Sequence, residues 1–215
     1  ENGDTNCALP FKSFQVKSGK PKIPGLPALF VKNETDAATL IITLEDKVAG
    51  LEVDLYYTVL EKYDAITRYS CLRNVSNQAI KINRALSCNM EFYHSNFDQI
   101  SLSGSYGNEK TFARAPLRQS QNILESHRGF SSHIQHAFIA LTEPSATEDA
   151  GHVYSTNLIY SGNFMAVTEV QQTKTTRMQL GPNSFQFQWV LKPNEAFYTP
   201  EAVLIQTNQG IGEMS

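Results

Sequence analysis

Cysteine is scarce in this chain: Cys7, Cys71 and Cys88 are the only three in 215 residues. Their odd number and irregular spacing argue against a disulfide framework, a zinc-thiolate site or a redox pair. The expected state is free thiols in a reducing, cytoplasmic setting. Long apolar runs are missing too. Nothing approaches the roughly 18 apolar residues of a membrane helix or a signal-peptide core, so no membrane partner is expected. The Asn33-Glu34-Thr35 and Asn74-Val75-Ser76 triplets then read as chance matches to the glycosylation pattern. Positive charge is in deficit, with 18 Lys and Arg against 21 Asp and Glu and a net charge of -3. Counterion release on a phosphate backbone needs a basic face, and nucleic acid is not expected as a partner. The one basic group, Lys12, Lys17, Lys20 and Lys22, reads as a solvated terminal segment.

Sustained helical periodicity is the last absence; period-two alternation takes its place. Leu40, Ile42 and Leu44 alternate with Ile41 and Thr43, and Glu45-Asp46-Lys47 marks a turn. Leu51, Val53, Leu55, Tyr57 and Val59 hold one face. Ile66 to Arg73 is a strand closed by Asn74-Val75-Ser76-Asn77. Ile80, Ile82, Leu86, Cys88, Met90 and Phe92 share one parity. Phe97 to Leu102 ends at the turn glycines Gly104 and Gly107. Further strands are expected near Thr111, Ile123, Phe138 and Leu158. Val167–Val170 and Thr176–Leu180 flank a polar hairpin turn at Gln171-Gln172-Thr173-Lys174. Phe185, Phe187, Trp189 and Leu191 alternate as a core row, and Ala202 to Gln206 completes the set. Glu1 to Lys22, by contrast, is polar, and Pro21, Pro24, Gly25 and Pro27 break regular structure. With no internal repeat or low-complexity linker, the pattern predicts an all-β chain. Its expected form is one large antiparallel β-sandwich over residues 1–215, with helix confined to short turns.

Between Ser126 and Phe164 the chain mixes His127, Arg128, His133, His136, Glu143, Glu148, Asp149 and His152 with aromatic and aliphatic residues. Buried charges cost free energy unless each is partnered. The stretch therefore predicts a buried polar network between packed layers, or a surface that something else covers. Glycoside cleavage would need two carboxylates about 5–5.5 Å or 6.5–9.5 Å apart; Glu125, Glu143, Glu148, Asp149 and Glu169 qualify by type alone. His133 and His136 lie three apart, which on a strand puts them on opposite faces, so no metal site is expected. No Gly-x-Ser-x-Gly elbow occurs, and Trp189 reads as core rather than as a sugar platform. No cofactor is expected.

The order of motifs resembles a known family. Arg128-Gly129, Ser131-Ser132-His133, Phe138, Ala140-Leu141, Thr147-Glu148, Gly151 and Tyr160-Ser161-Gly162-Asn163-Phe164 form its centre. Upstream lie Gly19-Lys20-Pro21, Gly25-Leu26-Pro27, Tyr63 through Arg68, and Leu102-Ser103-Gly104. Downstream lie Phe187-Gln188-Trp189 and Thr199 through Leu204. Together they resemble the amino-terminal domain of bacterial α-galactosidases of glycoside hydrolase family 36, the melibiose- and raffinose-cleaving group.

The resemblance implies a galactose-mutarotase-like supersandwich that is itself non-catalytic, the nucleophile and acid/base aspartates lying in a following (β/α)₈ barrel. It also implies that the domain begins several strands earlier, with a Gly-Asp-(Phe or Tyr)-Arg loop that reaches an active site. Residues 1–215 would then be a fragment that shields the barrel of its own polypeptide and supports a homo-oligomer, a tetramer in the intact enzyme. Arg128, Ser131, Ser132, His133 and Asn163 are the candidate domain or subunit contacts. Tyr106, Asn108 and His136-Ala137 depart from the family's Trp, Arg and Asn-Pro. A stand-alone carbohydrate-binding module is the alternative, distinguished by exposed aromatics on one face.

Overall fold

The computed structural model describes residues 7–132 and 134–214. In chain order its strands are β1 (Phe11–Ser18), β2 (Ala38–Asp46), β3 (Leu51–Leu60), β4 (Ala65–Asn74), β5 (Ile80–Ile82) and β6 (Cys88–Phe92). There follow β7 (Asp98–Ser105), β8 (Asn108–Pro116), β9 (Gln121–Glu125), β10 (Gln135–Thr142) and β11 (Val153–Ile159). The last are β12 (Phe164–Val170), β13 (Thr176–Pro182), β14 (Trp189–Leu191), β15 (Ala196–Tyr198) and β16 (Glu201–Thr207). Among the described residues helix is limited to 3₁₀ turns at Glu34–Asp36 and Glu61–Tyr63 and one turn, α1 (Ile211–Met214). The chain is all-β and antiparallel, as its alternation predicts.

A ten-stranded sheet runs β1-β2-β3-β4-β16-β11-β10-β7-β8, with β15 also on β4; a four-stranded sheet runs β6-β13-β12-β9, and β14 pairs with β5. The main core lies between the two larger sheets. Ala137, Ile139, Leu141, Leu158 and Ala202 meet Cys88, Phe164, Ala166, Met178 and Leu180, all buried. Full burial of each large apolar side chain is worth about 1.5–3 kcal/mol. On the far face of the large sheet, Ile100, Ala140 and Val153 pack on Met214 of α1. A third cluster joins Ala37, Leu60 and Ala65 to Leu29 and Val31, so segment 19–37 straps the same far face.

Two expectations need correction. Glu1 to Lys22 is not free of regular structure: Phe11–Ser18 is an edge strand paired with β2. All eight of its residues are exposed, so no buried face marks it in the sequence. Of the four lysines expected to be solvated, Lys12, Lys17 and Lys22 are exposed, but Lys20 is not. Lys12 pairs with Glu45 and Glu52, and Lys20 is buried against Glu201. The alternating residues from Ile80 to Phe92 fall in two strands of different sheets, β5 on β14 and β6 on β13.

Candidate functional site

The expected contact residues converge at the end of the smaller sheet where β9, β12 and β13 meet their loops. Asn183, just past β13, is buried. Its Nδ2 donates to Glu125 Oε2 and to the Phe164 carbonyl, each at 3.1 Å, and its Oδ1 accepts from Phe185 N at 2.8 Å. A buried amide with both ends satisfied fixes the three segments it joins. Onto that anchor the loop between β9 and β10 is laid by its own backbone. Ser126 N donates to Phe164 O at 3.0 Å and Ser131 N to Ser161 O at 2.8 Å. Gly129 N donates to Asn163 Oδ1 at 2.6 Å, and Ser126 Oγ donates to Phe130 O at 2.7 Å. Gly129 has φ 88, a left-handed conformation that favours glycine.

Asn163 thus shapes the loop, and Ser131 is held through its amide. Ser132 Oγ accepts from Ile134 N at 3.3 Å. His133 lies outside the described residues. Arg128 is exposed, and its guanidinium has no partner among the described residues. The buried network expected for this stretch is therefore not what forms: Arg128, Glu148 and Asp149 face solvent. The loop's backbone is braced inward while Arg128 and the half-exposed Phe130 point out. Gly104 N donates to Ile134 O at 3.1 Å, tying this loop to the β7–β8 hairpin, whose tip carries Tyr106 at 93% exposure. At Gly104, which sits in β7 rather than at the turn, a Cβ would lie 2.5 Å from the Asn108 carbonyl. That close approach requires glycine; Gly107, at φ 78, makes the turn.

Beside the loop, the row from Phe185 to Leu191 is not a core strand. Gln186 adopts φ 52, which breaks the extended run, and only Trp189–Leu191 pairs in a sheet. Phe185 leaves the core and stacks on His127, with ring centres 4.5 Å apart and planes 3° apart. His127 Nε2 lies 3.0 Å from Glu125 Oε2. Trp189 is 47% exposed. It packs on Phe197 at 5.3 Å, and Phe187 does so at 5.9 Å. These rings, with Leu26, Tyr160 and Pro182, line an open apolar cleft of about 320 Å³. The alternation that suggests a core strand hides this cleft, because the polar Gln186 and Gln188 complete the period-two pattern and nothing in it marks the left-handed turn at Gln186.

The carboxylates are dispersed. Glu125 pairs across from Met165, and Glu169 across from Gln121, at the other end of the same two strands. Glu143 Oε2 accepts from His152 N at 3.2 Å, and Glu169 lies 3.9 Å from Arg177. Among the described residues no three His, Cys, Asp or Glu side chains are grouped as metal ligands. Nor is any helix among the described residues long and apolar enough to cross a membrane.

Comparison with known proteins places this architecture. The α-galactosidase AgaA of Geobacillus stearothermophilus is 44% identical over the whole chain, which spans 30% of that protein. The α-galactosidase Mel36A of Lactobacillus acidophilus is 36% identical, and the chain spans 29% of it. The crystal structure of AgaA superposes with a TM-score of 0.95, covering 98% of this chain and 29% of that one. A variant of AgaA in complex with raffinose gives 0.97 at 43% identity, covering all of this chain and 30% of that one. Residues 1–192 match the family model of the glycosyl hydrolase family 36 N-terminal domain, and the chain belongs to that family.

Proposed function

We propose that this chain is a non-catalytic amino-terminal region of an α-galactosidase that removes terminal α-galactosyl residues from melibiose- and raffinose-type oligosaccharides. Residues 1–215 act as one β-sandwich unit that shields the catalytic barrel of the same polypeptide and supports a homo-oligomer, a tetramer, in the cytoplasm. The observation that carries the reading is likeness over the whole chain to α-galactosidases of which it spans about 30%. The geometry of one loop supports a role in contact. The loop carrying Arg128, Ser131 and Ser132 is braced against Asn163 and Ser161 with its cation outward, and a guanidinium suits fixed bonds to a neighbour. In the longer polypeptide, hydrolysis of a chromogenic α-galactoside is expected, with none from residues 1–215 alone. Turnover by the 215-residue chain, lost on Glu143→Gln or Glu148→Gln, overturns the assignment. Arg128→Ala should shift the oligomer toward smaller species in sedimentation.

The exposed cleft at Phe187, Trp189 and Phe197 favours a second reading, a carbohydrate-binding module in which rings stack on sugar faces. Titration of the chain with galactose and melibiose separates the two. Saturable binding lost in Trp189→Ala selects the module.

A further inference from the structure

The loop that leaves β10, residues 143–152, holds the last described segment of the chain. Gly151 N donates to Asn208 O at 3.2 Å and Gly210 N to Gly151 O at 3.1 Å. Ile211 N then donates to Thr147 O at 3.0 Å and Gly212 N to Glu148 O at 2.9 Å. The two backbones approach too closely for a side chain between them: a Cβ on Gly210 would lie 2.4 Å from Ala150 N and from Glu148 O. Past this point Met214 of α1 is buried with Ile100, Ala140 and Val153. The path of residues 208–214 therefore follows the shape of the loop.

That shape is not set by the loop alone. Glu143 N donates to His152 O at 3.2 Å and closes its base, and two short turns are made by Ala146 N on Glu143 O at 3.0 Å and Thr147 N on Ala150 O at 2.8 Å. The first of these turns is tied to the sheet by Arg114 of β8. Its Nη1 donates to Ala146 O at 2.8 Å, and its Nη2 to Glu143 O and Pro144 O, each at 2.9 Å. Its Nε donates to Asp98 Oδ2 of β7 at 2.8 Å, which aims the planar group at the loop. Four of the guanidinium's five donors are engaged, and charge-assisted bonds of this kind are the stronger ones. A lysine, a point charge on a flexible stem, has no such fork.

We infer that Arg114 is a positioning residue for the α-galactosidase reaction. It shapes the loop, the loop sets the path of residues 208–214, and that path sets how the sandwich sits against the catalytic part of the longer polypeptide. The inference rests on the proposed function, in which residues 1–215 shield a catalytic barrel and take no part in the chemistry. The bonds of Arg114 go to Asp98 and to backbone carbonyls, so it acts through the loop and on no substrate atom. A shield set askew weakens the hold on substrate and transition state alike, which raises KM and leaves kcat unchanged.

The test places Arg114→Lys and Arg114→Gln in the 215-residue chain and in the longer polypeptide. In the chain, the Ile211 and Gly212 amides should exchange with deuterium roughly tenfold faster in both variants, while the amides that join β12 to β13 keep the parent's rate. Arg114→Lys keeps a charge beside Asp98, so its melting temperature should stay nearer the parent's than that of Arg114→Gln, although the loop is loosened in both. In the longer polypeptide both variants should raise KM for a chromogenic α-galactoside severalfold at unchanged kcat. Lys20→Met, destabilised at the strap instead, should keep the parent's KM. Unchanged exchange at Ile211 and Gly212 overturns the inference, and so does faster exchange that reaches β12 and β13 equally, which is general loss of stability. A loosened loop with an unchanged KM overturns it too, because the loop then sets nothing beyond itself. The functional assignment fails separately: a longer parent protein that cleaves no α-galactoside refutes the enzyme, and local exchange still decides whether Arg114 shapes the loop.

Discussion

Lys20 Nζ sits 2.7 Å from Glu201 Oε1 with side chains 5% and 0% exposed, so a full ion pair is sealed beneath the strap of residues 19–37. The contact is one of charge more than of hydrogen-bond alignment, since Oε1 has no aligned donor. The other carboxylate oxygen accepts from Leu29 N at 2.7 Å. One carboxylate therefore holds both the beginning and the middle of the strap to β16.

Removing one member of such a pair leaves an uncompensated buried charge, at a cost of about 3–5 kcal/mol. Lys20→Met and Glu201→Gln should each lower stability by that order in denaturant unfolding. Lys20→Met with Glu201→Gln should recover part of the loss, because no lone charge stays buried. Single variants that unfold like the parent would show that water reaches the pair.

Asn183 and Arg128 make opposite predictions for the same loop cluster. Asn183→Ala takes the acceptor from the Phe185 amide and one of two donors from the Phe164 carbonyl, which keeps Ser126 N, and should cost about 1–3 kcal/mol. Arg128→Ala, at an exposed site, should stay within about 0.5 kcal/mol of the parent in thermal unfolding of the 215-residue chain. Its effect is expected in assembly instead. A large loss of chain stability from Arg128→Ala would mean that the guanidinium is buried after all.

Much of the fold is legible because one-sided burial writes itself as alternation. Leu51 to Val59 and the hairpin through Gln171–Lys174 stand where period two places them. The signal fails where burial is not one-sided. Phe11–Ser18 buries neither face, so its pairing with β2 leaves no pattern. Phe185, Phe187 and Trp189 alternate correctly, but the left-handed Gln186 turns the row out to solvent, and single-residue backbone signs are not written in hydrophobicity. Arg128, Ser131, Ser132 and Asn163 are found together by motif order, whereas the exposure of Arg128 is not. Mixed charge and aromatics fit a buried network and a braced surface loop equally well. Lys20 misleads for a related reason: a lysine among lysines reads as solvated until its partner, far along the chain, is placed.

Thiol reactivity gives a further check. Cys7 is exposed, while Cys71 and Cys88 are buried. Burial raises the pKa of all three thiols, aided at Cys7 by the neighbouring Asp46. The thiolate is the reactive form, so labelling near neutral pH should be slow and should quicken with rising pH. One thiol, Cys7, should react in the folded chain, and Cys7→Ser should abolish that phase. The other two should react only on addition of denaturant. Fast labelling of Cys71 or Cys88 without denaturant would contradict the packing of β4 or β6.

Alkaline pH should destabilise the chain through a stacked pair of tyrosines. Tyr56 and Tyr69 face each other with ring centres 4.3 Å apart and planes 10° apart. Burial pushes the Tyr56 phenol up to about 12 and Tyr69 further in the same direction. Cys71, opposite Asp54 on β3, is raised mainly by burial as well. The sign follows from proton counting. At high pH the folded chain keeps protons that the unfolded chain releases, so the unfolded state binds fewer and stability falls as pH rises. The stabilisation is complete below the unfolded values. It is lost from about pH 9, where the thiol begins to titrate in the unfolded chain, toward about pH 12, where Tyr56 ionises in the fold. Tyr56→Phe cannot ionise, so its unfolding midpoint should decline less steeply than the parent's across that window, while matching the parent's shape below it. Parallel decline of the two proteins would place the alkaline transition elsewhere in the molecule.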